Sequence, residues 1–379
     1  MIAIKGGTIF TVTNGTILNG VVLIDGERVS AVGKDISIPP DCSTIDVSGC
    51  YVVPGFIEAH CHVGIEEEVH RVEGDDLNET TDPITPQLRA IDGVNLRDQG
   101  FTDAVSGGIT RMMVAPGSAN VIGGQAAIFK TWAPDIPSMI QNPCWGVKAA
   151  LGENPKRVYG TQNKAPKTRM ASAALLREQL FRARGAVDHP PENPVETFKL
   201  DPLIKVIRRE TPLLLHVHRA DDILTALRIK DEFGFDMILQ HGTEAFLVAD
   251  EIARREVPVC LGPLLTNRAK VELKEVRFEN AMVLKQAGIK FCLITDHPVI
   301  PIQYLGLCAA LAARAGLDEE SALKSLTIWP AQILGLEKDL GSIEVGKKAD
   351  LVIYDGHPLE VRSKVKKVVV DGMIWGRSD

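Results

Sequence analysis

Two histidines one residue apart, His60 and His62, close the apolar run that begins at Tyr51-Val-Val-Pro54. Far downstream Asp296 closes another, Phe291-Cys-Leu-Ile-Thr295. Side chains at i and i+2 of a strand point to the same face. The two imidazoles therefore converge, as two ligands of one cation must. A lone buried histidine is more often a satisfied core residue. A pair at this spacing points to a metal when more ligand types stand at later strand ends: Lys148 and Glu153, His216 and His218, then His241 and Asp296. Imidazole and carboxylate at this density suit one or two divalent ions, Zn²⁺ foremost and Mn²⁺, Fe²⁺ or Ni²⁺ as alternatives.

Elements of two kinds must position these groups. The first fifty residues read as short strands (2–5, 8–12, 20–25, 28–32 and 43–46) separated by Gly-Gly, Asn-Gly and Asp-Gly turns. The last forty look alike, with strands at 350–354, 365–370 and 374–375. Neither end has enough alternating apolar surface to stand alone, so both are expected to pair into one small β-sandwich from residues 1–52 and 343–379. Between them, strand-like runs (110–114, 144–151, 212–217, 237–240, 257–261, 290–295) alternate with helical patterns (168–184, 220–233, 243–255, 278–287). That alternation predicts a parallel sheet with helical crossovers. About eight repeats over residues 53–342 favour a closed (β/α)8 TIM barrel, which carries its chemistry on the C-terminal rim of the strands. The acidic, turn-rich segment Gly64–Pro86 is either a solvated loop or a lid over that rim.

Composition excludes several classes. A chain of 379 residues with 45% hydrophobic and 24% charged residues is ordinary globular protein. The net charge of −7 offers no footprint for nucleic acid. No apolar run approaches the roughly 20 residues that cross a bilayer, and the N-terminus lacks the pattern of a secretory signal. Seven scattered cysteines fit a reducing cytoplasm better than a disulfide framework.

Four segments together carry a family resemblance: Pro54-Gly-Phe-Ile-Glu-Ala-His-Cys-His62, Gly108-Ile-Thr-Arg-Met-Met-Val-Ala-Pro-Gly117, Gln240-His-Gly-Thr243 and Thr295-Asp296. With the closing Gly341-Ser-Ile-Glu-Val-Gly-Lys-Lys-Ala-Asp350 they make nearly the whole chain resemble the amidohydrolase superfamily, especially its imidazolonepropionase-related and dihydroorotase-like members. The resemblance implies a barrel, a split β-sandwich and one or two metals activating water. It implies that His60 and His62 hold the more buried metal, that His241 binds a second, and that Asp296 is both a shared ligand and the proton acceptor. His216 matches the strand-5 ligand; His218 stands where members carry an acidic residue and is either ligand or substrate contact. The anionic bridge is Lys148, carboxylated by CO₂, or Glu153, unless these two simply pair with each other. Glu58 replaces a common aspartate, with a role in orienting a ligand, and His297 reads as structural.

The expected activity is hydrolysis of an amide C–N bond in a small molecule: a cyclic amide, an N-acyl amino acid or a dipeptide. The alternative is deamination of a heterocycle. Gln125, in the glycine-rich run after the third strand, and Arg219 are candidate substrate contacts, as are Lys156, Arg157 and Tyr159 past the fourth. The expected partner is the substrate alone, with neither nucleic acid nor membrane, and a homo-oligomer is compatible with such barrels.

Overall fold

The computed structural model describes residues 1–69 and 72–375. Residues 70–71 of the acidic segment and 376–379 of the expected C-terminal range lie outside them. Five strands open the chain: β1 (Ile2–Phe10), β2 (Thr16–Asp25), β3 (Arg28–Gly33), β4 (Ser43–Asp46) and β5 (Tyr51–Pro54). Eight more form the barrel: β6 (Phe56–Cys61), β7 (Ile109–Val114), β8 (Ile122–Lys130), β9 (Ile140–Ala150), β10 (Leu213–Val217), β11 (Met237–His241), β12 (Val259–Leu261) and β13 (Phe291–Leu293). The chain then returns to the first sheet with β14 (Leu351–Tyr354), β15 (Val365–Val370) and β16 (Met373–Trp375).

The terminal strands make one sheet in the order β16-β15-β14-β5-β1-β2-β3, with β4 also paired to β1. What reads in sequence as two strands, 2–5 and 8–12, is the single β1. Its register shifts at Gly6-Gly7, where Gly6 takes φ +87, so β1 pairs first with β4 and then with β5. The sheet curls around Ile4, Ile9, Val22, Val52, Leu351 and Val369, giving the β-sandwich built from both ends of the chain.

The second sheet runs β13-β12-β11-β10-β9-β8-β7-β6 and closes as a TIM-type barrel. Between β13 and β6 the His62 N–H donates to the His297 carbonyl at 3.0 Å. Lower down, the Ser325 and Leu326 carbonyls accept from Leu293 N–H (3.2 Å) and Ile57 N–H (2.8 Å). One strand departs from the all-parallel expectation: β8 is antiparallel to both β7 and β9. The link from β7 to β8, residues 115–121, is too short for a crossover helix, so the chain reverses as a hairpin. The barrel is thus a (β/α)8 fold with one reversed strand, and what reads as a glycine-rich loop at 117–125 runs into that strand.

Apolar residues two positions upstream of the rim, Leu214 before His216 and Ile294 before Asp296, join Ile57, Met113, Cys260 and Cys292 in a floor beneath the rim. A buried charge cluster joins barrel to sandwich. Arg111 on β7 contacts Asp350 (2.7 Å) and Asp371 (2.6 Å), and Lys130 on β8 also reaches Asp371 at 2.5 Å. Among the described residues no helix is long and apolar enough to cross a membrane.

Candidate metal centre

The barrel rim gathers six ligand-type side chains into two groups, His60, His62 and Asp296 in one and His216, His218 and His241 in the other. Asp296 Oδ1 lies 3.1 Å from His60 Nε2 and 3.3 Å from His62 Nε2, while its Oδ2 lies 4.0 Å from His241 Nδ1. The His216 ring is centred 4.7 Å from that of His218 and 4.3 Å from that of His241. Two backbone distortions bring ligands inward at strand ends. His241 and Asp296 take φ values of 76 and 54, a left-handed conformation uncommon for non-glycine residues. Such outliers persist only where surrounding structure holds them.

That surrounding structure can be named. His62 Nδ1–H donates to the Ala115 carbonyl at 2.7 Å and His241 Nδ1–H to the Gly262 carbonyl at 2.8 Å. A carbonyl only accepts, so each Nδ1 carries the hydrogen and each Nε2 is left with a free lone pair, the form a metal ligand needs. His218 Nδ1 pairs with Thr243 Oγ1 at 2.8 Å. Glu58 clamps two strand ends together. Its Oε1 accepts from His60 N–H (3.1 Å), and its Oε2 accepts from the Thr295 N–H (2.9 Å) and hydroxyl (2.6 Å). Burial pushes the Glu58 carboxyl up to about 8 against those donors.

The protonation states match the chemistry of ligands. Burial first, then the nearby Lys148 ammonium, pushes the His60 imidazole down to about 3. Burial and Lys270 do the same for His218, down to about 3, and burial holds His216 and His241 well below their usual value. Burial would raise the Asp296 carboxyl, but His241, His60 and His62 outweigh it and hold it well below the usual carboxylate range. Four neutral imidazoles and an anion are what a divalent cation selects. Three buried polar atoms around them, His60 Nδ1, His216 Nδ1 and Glu272 Oε1, have no hydrogen-bond partner among the described residues. A buried polar atom without a partner is costly, and the last of these belongs to an anion beside imidazoles. The residues therefore fit a metal.

Lys148 on β9 is fully buried, with Nζ 3.5 Å from His60 Nε2, and burial lowers its ammonium to about 8 despite the Asp296 charge. It faces the metal ligands and not Glu153. Glu153 stands outside both groups at the start of a helix (Glu153–Thr161), its N–H donating to Glu272 Oε2 at 3.2 Å. The chain turns outward at Gly152, φ +86, before it can aim the Glu153 carboxylate at the rim. The two substrate contacts expected from sequence are also displaced. Gln125 lies within β8, its amide 3.5 Å from the Pro86 carbonyl, and Arg219 pairs with Asp221 through two contacts of 2.9 Å. Neither lines the cavity over the rim. His297, buried, accepts from Ile302 N–H at 3.2 Å and lies 3.4 Å from Glu68, in line with a structural role.

A cavity of about 530 Å³ opens over His62, His216, His218, His241 and Asp296. Its walls include Asn78, Asn154, Asn267 and Thr266 together with the cations Arg157 and Lys270. The acidic segment contributes Glu66, Leu77 and Asn78 to this wall. It is tied down there, Gly117 N–H donating to Leu77 O (2.8 Å) and Ala119 N–H to Asn78 Oδ1 (2.9 Å), so these residues are not a free solvated loop. Tyr159 is structural, its hydroxyl donating to Asn120 Oδ1 at 2.6 Å. The residue that the sequence did not betray is Glu272, in the polar stretch after β12.

The amidohydrolase family's sequence profile matches residues 51–377. The chain belongs to the amidohydrolase family. This amidohydrolase is 41% identical to a solved amidohydrolase from Thermotoga maritima MSB8, with a TM-score of 0.95 and 100% of each chain covered. It is 30% identical, over 93% of its length, to the amidohydrolase tasK of Hapsidospora irregularis, of which it spans 39%. An imidazolonepropionase of Acinetobacter baumannii is 22% identical over 93% of this chain and 92% of its own. Other relatives are named as deaminases. The family comprises metal-dependent hydrolases acting on C–N bonds, and the rim of this amidohydrolase carries His and Asp groups that could bind a metal.

Proposed function

We propose that this amidohydrolase cleaves the amide bond of a small acidic substrate, an N-acyl amino acid or dipeptide before a cyclic amide, using two divalent cations, zinc in the first instance. The observation that carries this is the placement of Asp296. Its carboxylate lies between the two histidine groups and is exposed to the cavity. His60, His62 and Asp296 would hold one cation and His216, His218 and His241 the other. Divalent cations at such a site polarise a carbonyl and lower the pKa of water from 15.7 to about 7. Asp296, ionised and facing the cavity, accepts a proton from the attacking water and passes it to the leaving nitrogen. The neutral amine of Lys148 can add CO₂ at Nζ and release one proton, giving a carbamate anion that would serve both cations.

Substrate charge is read from the cavity wall. Arg157 has no ionic partner among the described residues, and Lys270, 3.5 Å from Glu272, lines the same cavity. Two cations facing a cavity favour a carboxylate-bearing ligand over the neutral heterocyclic amine of a deaminase. The test is a panel assay of the zinc-loaded enzyme on N-acetyl amino acids, dipeptides, cyclic imides and aminopurines. We expect release of a primary amine from the first two groups without free ammonia. Ammonia from the aminopurines, with the amides left intact, would replace hydrolysis by deamination.

A further inference from the structure

Glu272 is a buried charge that the reading of the site has not used. It sits in the one-turn segment Val271–Leu273, beyond the end of β12, and is 1% exposed. One oxygen is accounted for, since Oε2 accepts the Glu153 N–H at 3.2 Å. The other is not. Oε1 lies 3.7 Å from His218 Nε2 and 4.0 Å from His216 Nε2, beyond hydrogen-bonding reach of both. The Lys270 ammonium stands 3.5 Å away but is shared with Asn154 Oδ1 at 3.2 Å, and Oε1 is left without a hydrogen bond. His216 Nδ1, on the far side of the ring from Glu272, also has no hydrogen-bond partner among the described residues.

Three ligand-type atoms, Glu272 Oε1, His216 Nε2 and His218 Nε2, thus face one another, with Asn154 Nδ2 3.5 Å from His216 Nε2. The carboxylate oxygen faces the two imidazoles across a gap too wide for a direct hydrogen bond. Electrostatics disfavours that arrangement unless a cation occupies the gap. The separations suit it, because ligands about 2.0–2.2 Å from a zinc ion stand three to four ångströms apart. Glu272 does not line the cavity, so it approaches the histidines from behind and is placed to serve a metal, not a substrate.

We propose that Glu272 is an oxygen ligand of the cation held by His216, His218 and His241, making that site three imidazoles and one carboxylate. This rests on the metal centre set out under Proposed function. It places on the loop after β12 an anionic donor for the second cation that is independent of any modification of Lys148. Asp296 on one side and Glu272 on the other would then offset part of the charge of the two cations.

Metal stoichiometry and competition with a chelator would be measured on the full chain for wild type, Glu272→Gln and Glu153→Gln, with the circular dichroism melt of each as a check on folding. The Co²⁺-substituted wild-type enzyme would be recorded beside Co²⁺-loaded Glu272→Gln for its visible absorption. We expect two equivalents in wild type and in Glu153→Gln. In Glu272→Gln the second equivalent should weaken by more than about 100-fold, because losing a residue that merely orients a ligand costs 10–100-fold. The Co²⁺ spectrum should also change in position, which a packing defect would not produce. Two equivalents retained in Glu272→Gln within that margin, with an unchanged Co²⁺ spectrum, would overturn the role of Glu272 and leave the metal centre standing. No bound metal in wild type after loading would overturn both.

Discussion

In the proposed mechanism one carboxylate, Asp296, has two duties that compete. Contact with cationic or ligand-bearing groups acidifies a carboxylate, and the surrounding histidines do hold Asp296 well below the usual range. As the proposed base it would rely on position: it is ionised and lines the cavity, where a water can reach it. Asp296→Asn keeps an oxygen donor and the shape but loses the proton acceptor. We expect kcat to fall by about 10²–10⁴-fold, the usual worth of a general base, with metal content little changed. Steady-state kinetics beside elemental analysis checks this; near wild-type kcat would remove Asp296 from proton transfer. The histidines and Asp296 were legible in sequence because each closes an apolar run, so residue type and strand end coincide. Glu272 was not, because it follows β12 at the end of a polar stretch where a glutamate looks like solvated charge. Only the fold shows that this stretch walls the cavity over the rim and buries the Glu272 side chain.

The elements work as a frame for the imidazoles, and the loop after β12 shows how tightly. Gly262 takes φ +149, a region essentially closed to other residues. A Cβ there would collide with the Ile294 carbonyl oxygen on the neighbouring strand. The Gly262 carbonyl accepts the His241 Nδ1–H, so the same residue spaces two strands and fixes a ligand's tautomer. Gly262→Ala should cost about 1–3 kcal/mol of stability and weaken metal binding together, read by denaturant unfolding and by chelator competition. A variant as stable as wild type and equally tight for metal would contradict that coupling. Strand positions such as Ser43–Asp46 and Val365–Val370 and the helix Ala220–Phe233 coincide with what the sequence predicts. Reversed β8 does not, since a direction of pairing is decided by the length of the connection and the hairpin it forces, and the glycines at 117–124 read equally as a surface loop. Glu153 misled for a related reason. Its distance from β9 is right, but Gly152 turns the chain before the carboxylate can face the two histidine groups.

Across the whole molecule, barrel and sandwich are joined by buried charge as well as apolar packing. Asp371 would be raised by its burial, but Arg111 foremost, with Lys130 and Lys348, holds it down to about 2. A carboxyl depressed in the folded state adds stability above its unfolded value of about 3.9, and that stability is lost as pH falls towards 2. Asp350, raised chiefly by burial, carries the opposite sign. The effect is therefore read as a difference between wild type and Asp371→Asn. We expect wild type to be the more stable above about pH 4, with the gap closing as pH approaches 2, measured by denaturant unfolding across that range. A gap independent of pH would mean that Asp371 acts through packing alone. The split of the sandwich between the two ends of the chain was legible because neither end carries enough apolar alternation to fold alone. The Arg111 cluster was not, since its members lie far apart in sequence and each reads as an ordinary surface charge.

The most direct test is an anomalous difference map from crystals of the zinc-loaded protein, collected above and below the zinc edge. We expect two peaks, one among His60, His62 and Asp296 and one among His216, His218 and His241. A fully loaded crystal with no peak at either group would contradict the metal centre, and with it the hydrolytic role of this rim.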